Sequence, residues 1–242
     1  MPGGTYSALS GMQTRLQELD RIASDLANIG TAGYKTERAG SVAAERQAFS
    51  TTLDSAVDVM TGNTRVDFRT GTVATTGRNL DVALQGKGFI AIDTPAGVRY
   101  TRNGSLTRGP NGMLTTSQGE PIANELGSGP ITLAPGELAI DGDGTVRVGG
   151  AVAGKIRMVE FGSGDELVRE SGSRFRAIAG ATPTPAQGTT IVAGSLEQSN
   201  ASAVDLMAKL TEVTRSFETL QRGVSMISND LDGRAISELA RR

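Results

Sequence analysis

The sequence predicts an α+β protein. Terminal heptad helices at the N- and C-termini pair as a coiled-coil stem, and a glycine-rich antiparallel β domain, sandwich- or barrel-like, lies between them. Three observations carry this expectation. Apolar residues recur in alternating steps of three and four at both ends of the 242-residue chain, glycine and proline crowd the middle, and short apolar runs there are cut by turn signals.

The first element spans residues 5–29, which hold no proline and one glycine. Leu9, Met12, Leu16, Leu19, Ala23 and Leu26 form a heptad seam that Ile22 and Ile29 widen at one end. Gly30 and Gly33 suit a helix end, because glycine enters the left-handed region without a Cβ penalty. Residues 36–65 follow as a polar connector, extended or partly helical, that fits neither period.

The composition then changes. Residues 62–194 contain 24 of the 32 glycines, and seven of the eight prolines lie between 95 and 185. Seven short runs read as strands: 79–84, 88–93, 98–101, 112–116, 137–140, 145–148 and 155–161. Between them stand breaks such as TPAG, GPNG, SQGE, DGDG and GSGD, where glycine supplies positive φ or proline fixes it. The β domain is expected over 66–198.

The last element, over 199–242, has no proline and the cleaner seam: Leu206, Leu210, Val213, Phe217, Leu220, Val224, Ile227 and Leu231. Ser202 with Asp205 offers a capping-box start. Asp205–Lys209, Glu218–Arg222, Asp230–Arg234 and Glu238–Arg242 are acid-before-base pairs at the supportive spacing, each worth about 0.2–0.5 kcal/mol. At about 1.5 Å per residue the two helices reach about 37 Å and about 58 Å, so the longer one overhangs its partner. The overhang leaves apolar surface that other chains are expected to cover.

Several function classes drop out on composition. Lys+Arg 24 against Asp+Glu 26 leaves no basic footprint for nucleic acid or an anionic membrane. The absence of both His and Cys removes acyl-transfer triads, zinc sites and disulfides. No apolar run is long enough to cross a membrane as a helix. No basic segment followed by an apolar core opens the chain, so a cleaved secretory signal peptide is not expected. No cofactor, metal or small-molecule substrate is expected.

Three motifs offer local alternatives. DGDGTV at 141–146 spaces Asp141 and Asp143 like the start of a calcium loop, but glycine falls at the fourth position and Val152 at the twelfth, so a hairpin turn is expected. QGKGF at 85–89 has the small residues of a phosphate loop without its first glycine or a following helix. NGS at 103–105 is a formal glycosylation sequon. A glycan hydrolase needs two close carboxylates, and no pair is singled out. A trimeric fibre should place its heptads side by side in sequence, whereas here they sit at opposite ends.

YSALSGMQTRLQELDRIASDLANIGTAGYKT (6–36) resembles the N-terminal signature of the bacterial flagellar rod and hook family, through Ala8, Ser10-Gly11-Met12, Asp20, Ile22-Ala23, Leu26-Ala27-Asn28, Thr31 and Gly33-Tyr34-Lys35. GSLEQSN (194–200) with RSFETLQ (215–221) resembles its C-terminal signature. DFRTGTVATTGRNLDVALQGKGFIAI (67–92) and YTRNGSL (100–106) are similar to its β domain. Ser24-Asp25 departs from the paired asparagines usual there.

The resemblance implies a non-enzymatic structural subunit of the flagellar basal-body rod, in its proximal part, with a distal rod or hook subunit of the same family as the alternative. Such subunits leave the cell through the flagellar export apparatus without a cleaved signal peptide. They polymerise helically across the periplasm with other rod proteins and with copies of themselves. The expected packing residues are Leu9, Met12, Leu16, Leu19 and Leu26 with Leu206, Leu210, Val213, Phe217, Leu220, Val224, Ile227 and Leu231. Asn28, Gly33 and Tyr34 are expected to set the exit of the first helix, whose segment runs over 1–35.

Overall fold

A computed structural model describes residues 2–39, 64–127, 129–162 and 166–239, with the side chains of 9–38, 65–127, 129–162 and 166–226. Two units emerge. One contains both helices; the other joins residues 27–38 to 65–201.

In the helical unit the N-terminal helix runs Pro2–Ala27 and the C-terminal helix Ala203–Leu239. With 26 and 37 residues, they differ by about three turns. Ser202 caps the second helix: its Oγ accepts from the Asp205 amide at 3.4 Å and its carbonyl from Leu206 at 3.0 Å. Glu218 and Arg222 close one of the expected surface pairs at 3.5 Å. Along the second helix Leu206 and Val213 are buried, Leu210, Phe217, Leu220 and Val224 are half-buried, and most positions between them face solvent. On the first, Ile22 and Asp25 are buried and Met12, Leu19 and Leu26 half-buried. The two helices meet where Leu220 Cδ1 lies over Gly11, 3.7 Å from the point where a side chain would begin. The side chains of Ile227 and Leu231 lie outside the described residues.

In the β unit, the main sheet has six antiparallel strands in the order Leu167–Ser171, Arg174–Ala177, Gly97–Thr101, Phe89–Thr94, Met158–Glu160 and Thr184–Pro185. Its central pair is in register through Ile90↔Thr101 and Ala91↔Tyr100. Side chains alternate across a strand, so Ile90 and Ile92 enter one apolar cluster while Phe89 and Ala91 enter another. Its first four residues, Phe89 to Ile92, are therefore buried on both faces and read as an unbroken apolar run.

The first cluster is aliphatic, with Val82, Leu84, Leu106, Leu114, Ile122, Ile131 and Ile156 fully enclosed. The second is aromatic: Phe68, Phe161 and Phe175 surround Phe89 edge-on at 5.2–6.0 Å between ring centres. A three-stranded sheet (Ala151–Lys155, Thr145–Val148, Leu138–Ile140) and four two-stranded ribbons complete the described strands.

The antiparallel middle thus takes no closed-barrel form. Among the described strands the main sheet keeps two open edges, and Pro185 on one of them has no amide to offer a further strand. Each of the seven runs read as strands overlaps one, and residues 162–193, which the sequence left unassigned, supply four more. Of the connector, Glu37–Ala39 pairs with Thr64–Val66, and 40–63 lie outside the described residues.

DGDGTV is the hairpin turn between Leu138–Ile140 and Thr145–Val148. Its carboxylates serve the turn: Asp141 pairs with Arg147 at 2.6 Å, and Asp143 accepts from the Thr145 amide and hydroxyl at 3.0 and 2.9 Å. Of its glycines only Gly144 has positive φ, at 89°.

Candidate functional site

Just after the first helix, parts of the motifs that carry the resemblance meet: Gly33-Tyr34-Lys35, Arg102-Asn103, and Glu197 with Asn200. The first helix stops in a turn built by Asn28, whose carbonyl accepts from the Thr31 amide at 3.0 Å and whose side chain accepts from the Thr31 hydroxyl at 3.2 Å. Gly30 does not take the left-handed conformation; Gly33 does, at φ 66°. The reason lies in the neighbouring chain. A Cβ on Gly33 would land on the Arg102 carbonyl and the Asn103 amide, well inside the 3.0 Å that real Cβ atoms essentially never breach. Gly33 thus acts as a seat for the backbone of YTRNGS rather than as a helix cap.

Beyond Gly33 the chain lies against the strand segment 195–200. The Gly33 amide donates to the Glu197 carbonyl at 2.7 Å, and the Asn200 amide to the Tyr34 carbonyl at 3.3 Å. The Asn200 side chain closes the seam, accepting from the Thr36 amide at 2.8 Å and donating to the Asp67 carbonyl at 2.7 Å. Tyr34 is buried with the Arg169 guanidinium over its ring at 4.3 Å. Arg169 also donates to the Lys35 carbonyl and pairs with Glu37 at 2.6 Å.

Lys35 and Glu197 then meet in full burial, with side chains 0% exposed, and Arg102 joins them at 1%. Lys35 Nζ donates to Glu197 Oε1 and, at 2.9 Å, to the Arg69 carbonyl. The Gly71 amide reaches the same carboxylate oxygen at 2.9 Å, and Arg102 Nε reaches Oε2 at 2.9 Å. Arg102 directs its Nη2 donors to the Leu84 and Gly86 carbonyls at 3.3 and 2.8 Å. Burial pushes Lys35 below its ordinary pKa, and the Glu197 hydrogen bond and charge oppose that shift. Nearby, burial raises Asp67, but hydrogen bonds from Arg69 and the charge of Arg38 outweigh it and hold the carboxyl below the usual range.

The helix-exit residues Asn28, Gly33 and Tyr34 are therefore brought together, each in a defined bond or contact. The heptad residues belong to the two helices of the other unit. Sequence reasoning did not single out Lys35, Arg102, Glu197 and Asn200, although each stands inside a motif it quoted. One signal was available: the short stretches GYK (33–35), YTRNGS (100–105) and GSLEQSN (194–200) each carry a single charged residue, two positive and one negative. The cluster holds no nucleophile beside a base, and its carboxylate is fully engaged, so its chemistry is fastening. Among the described residues no group of three or more His, Cys, Asp or Glu could hold a metal.

Comparison with known proteins finds two matching families and several similar chains. A family described as "Flagellar hook protein FlgE/F/G D1 domain" matches residues 83–148, and one described as "Flagellar basal body rod FlgEFG protein C-terminal" matches 192–237. The chain is 32% identical over 228 residues to the flagellar basal-body rod protein FlgF of Caulobacter vibrioides, covering 92% of each chain. It is 30% identical to the FlgF of Salmonella typhimurium over 251 residues, 97% of each. Against the flagellar basal-body rod protein FlgG of Bacillus subtilis it is 28% identical over 240 residues, covering 88% of this chain and 90% of that one. With likeness of this extent along nearly its whole length, the chain belongs to the FlgE/F/G family of flagellar hook and basal-body rod proteins.

Proposed function

We propose that this chain is a structural, non-enzymatic subunit of the flagellar basal-body rod, in its proximal part, that polymerises helically through its terminal helices into a torque-transmitting shaft. The observation that carries the reading is an apolar face on the N-terminal helix that the single chain leaves partly open: Leu9 is 54% and Leu16 48% exposed. Leu9, Met12, Leu16, Leu19 and Leu26 on one helix, and Leu206 through Leu231 on the other, then pack between subunits. Segments 1–35 and 199–242 form the stem of the shaft, 36–65 the connector and 66–198 the outer β domain. Its neighbours are copies of itself and other rod proteins. It reaches the periplasm-spanning rod through the flagellar export apparatus.

The proximal assignment is supported by relatives named FlgF at 30–33% identity against 25–28% for those named FlgG. The test is deletion of the gene in its native host, followed by electron microscopy of purified basal bodies and complementation with the intact chain. A truncated rod restored by complementation is the expected result. Complete rods and normal swimming in the deletion strain would refute the assignment.

A further inference from the structure

Two cations, Lys35 and Arg102, share the single carboxylate of Glu197 in a place closed to solvent. The nearest further acid that acts on Lys35 is Asp67, which Arg38 and Arg69 already hold at 2.9 and 2.8 Å. The three partners differ in what else anchors them. Arg102 is tied into the β unit by the Leu84 and Gly86 carbonyls and by the Phe89 ring at 5.6 Å. Glu197 sits on the strand Ser195–Glu197, which pairs with Val73–Thr75. Lys35 has one further acceptor, the Arg69 carbonyl at 2.9 Å, and belongs to the segment 28–38 that leads out of the N-terminal helix. It is the one cation of the two that can return to water by moving its own segment.

We infer that Glu197 is a positioning residue for assembly: it docks the root of the N-terminal helix, residues 28–38, by neutralising Lys35, and it does so only once the strand leading to the C-terminal helix is in place. The two helices thereby become available to a growing assembly as a pair. The inference rests on the rod reading for its consequence but not for its physics. Removing one partner of a buried ion pair leaves an uncompensated charge, and that penalty exceeds the net worth of the pair. Without Glu197 two cations face each other with no anion between them. Arg102 stays, because its other acceptors are fixed, and Lys35 leaves with its segment. Removing Lys35 instead leaves Arg102 and Glu197 balanced one to one, with an apolar slot that a methionine fills. Removing both charges relieves the repulsion that drives the root away.

Docking by charge neutralisation fixes an order of effects that a space-filling role for Glu197 would not produce. Hydrogen exchange of the full-length protein reads it directly. In Glu197→Gln, amides of 28–38 exchange faster by about tenfold or more, while those of 82–85 and 89–94 stay near the parent rates. In Lys35→Met the root keeps most of its protection. The double variant Lys35→Met/Glu197→Gln recovers protection relative to Glu197→Gln alone, a coupling of opposite sign to additive damage. Faster exchange in the double variant than in Glu197→Gln would overturn the inference. So would unchanged exchange at 28–38 in Glu197→Gln, or equal loosening of 82–94. In the deletion strain the same ranking is expected for swimming, with the double variant above Glu197→Gln. If the intact chain itself fails to restore swimming, the rod reading fails while the exchange result stands on its own.

Discussion

Replacing Gly33 by alanine puts the helix-exit geometry to a direct test. Two penalties combine at this position. A residue with a Cβ held at φ 66° loses about 1–2 kcal/mol relative to glycine. The new methyl group also needs space already occupied by the Arg102 carbonyl and the Asn103 amide. These are backbone atoms that cannot swing away, and forcing such a contact typically costs about 1–3 kcal/mol. Together, Gly33→Ala should destabilise the β unit by about 2–5 kcal/mol, because the seat also carries the 2.7 Å bond to the Glu197 carbonyl. At about 2–4 °C per kcal/mol for a protein of this size, the melting temperature should fall by roughly 4–20 °C. The internal control lies three residues upstream. Gly30 lacks a positive φ and has nothing within 4 Å of the point where a methyl group would sit, so Gly30→Ala should be neutral or stabilising by about 0.4–1 kcal/mol. Thermal unfolding followed by circular dichroism measures both. If Gly33→Ala melts with the parent, or Gly30→Ala proves the more damaging, the account of why glycine stands at 33 is wrong.

Phe217 is half-buried in the single chain and is the only aromatic in its seam, so Phe217→Ala should leave β-unit melting unchanged yet abolish swimming in a complementation assay; normal motility would place it outside any subunit contact. In the DGDG hairpin, Gly144→Val should destabilise by about 1–2 kcal/mol or more through its positive φ, whereas Gly142→Val and the pair Asp141→Asn with Asp143→Asn should fall near the roughly 0.5 kcal/mol typical of surface changes, all read from melting with and without calcium. Acidification supplies a further check. Hydrogen bonds from the Thr145 amide and hydroxyl hold Asp143 below the usual carboxylate value, and Arg99 does the same for Glu170. Groups depressed on folding contribute stability above their unfolded pKa and lose it as pH falls through the folded one, so melting temperature should drop from about pH 5 to about pH 3. The drop should be smaller in Asp143→Asn; an equal drop would mean that its hydrogen bonds do not favour the charged form.

How much of this was legible beforehand depends on whether a feature leaves a period in the sequence. Both helices did, because a face that avoids water must recur every three or four residues; the less exposed positions of the C-terminal helix, Leu206, Leu210, Val213, Phe217, Leu220 and Val224, are the ones the spacing picked. The strand Leu167–Ser171 did not, since its polarity is inverted. Val168 faces solvent, while Arg169 turns inward over the rings of Tyr34 and Phe175 at 4.3 and 5.3 Å. An inward cation stacked on aromatics erases the alternation that marks a strand. The cluster of Lys35, Arg102 and Glu197 was hidden for another reason. Its lysine and glutamate are 162 residues apart, and an ion pair across that distance imposes no repeat on either segment. The motifs around each were visible, but that they meet at one carboxylate was not.

The lateral bonding of residues 33–36 to 197–200 has a mechanical meaning. Tension applied along either terminal segment reaches the other through the Gly33–Glu197, Asn200–Tyr34 and Thr36–Asn200 hydrogen bonds. The ion pair between Lys35 and Glu197 adds a further strut. These links are strained side by side, as rivets in a lap joint are, so rupture requires several to fail together. A force entering by the N-terminal helix is thus diverted at residue 33, ahead of residue 40.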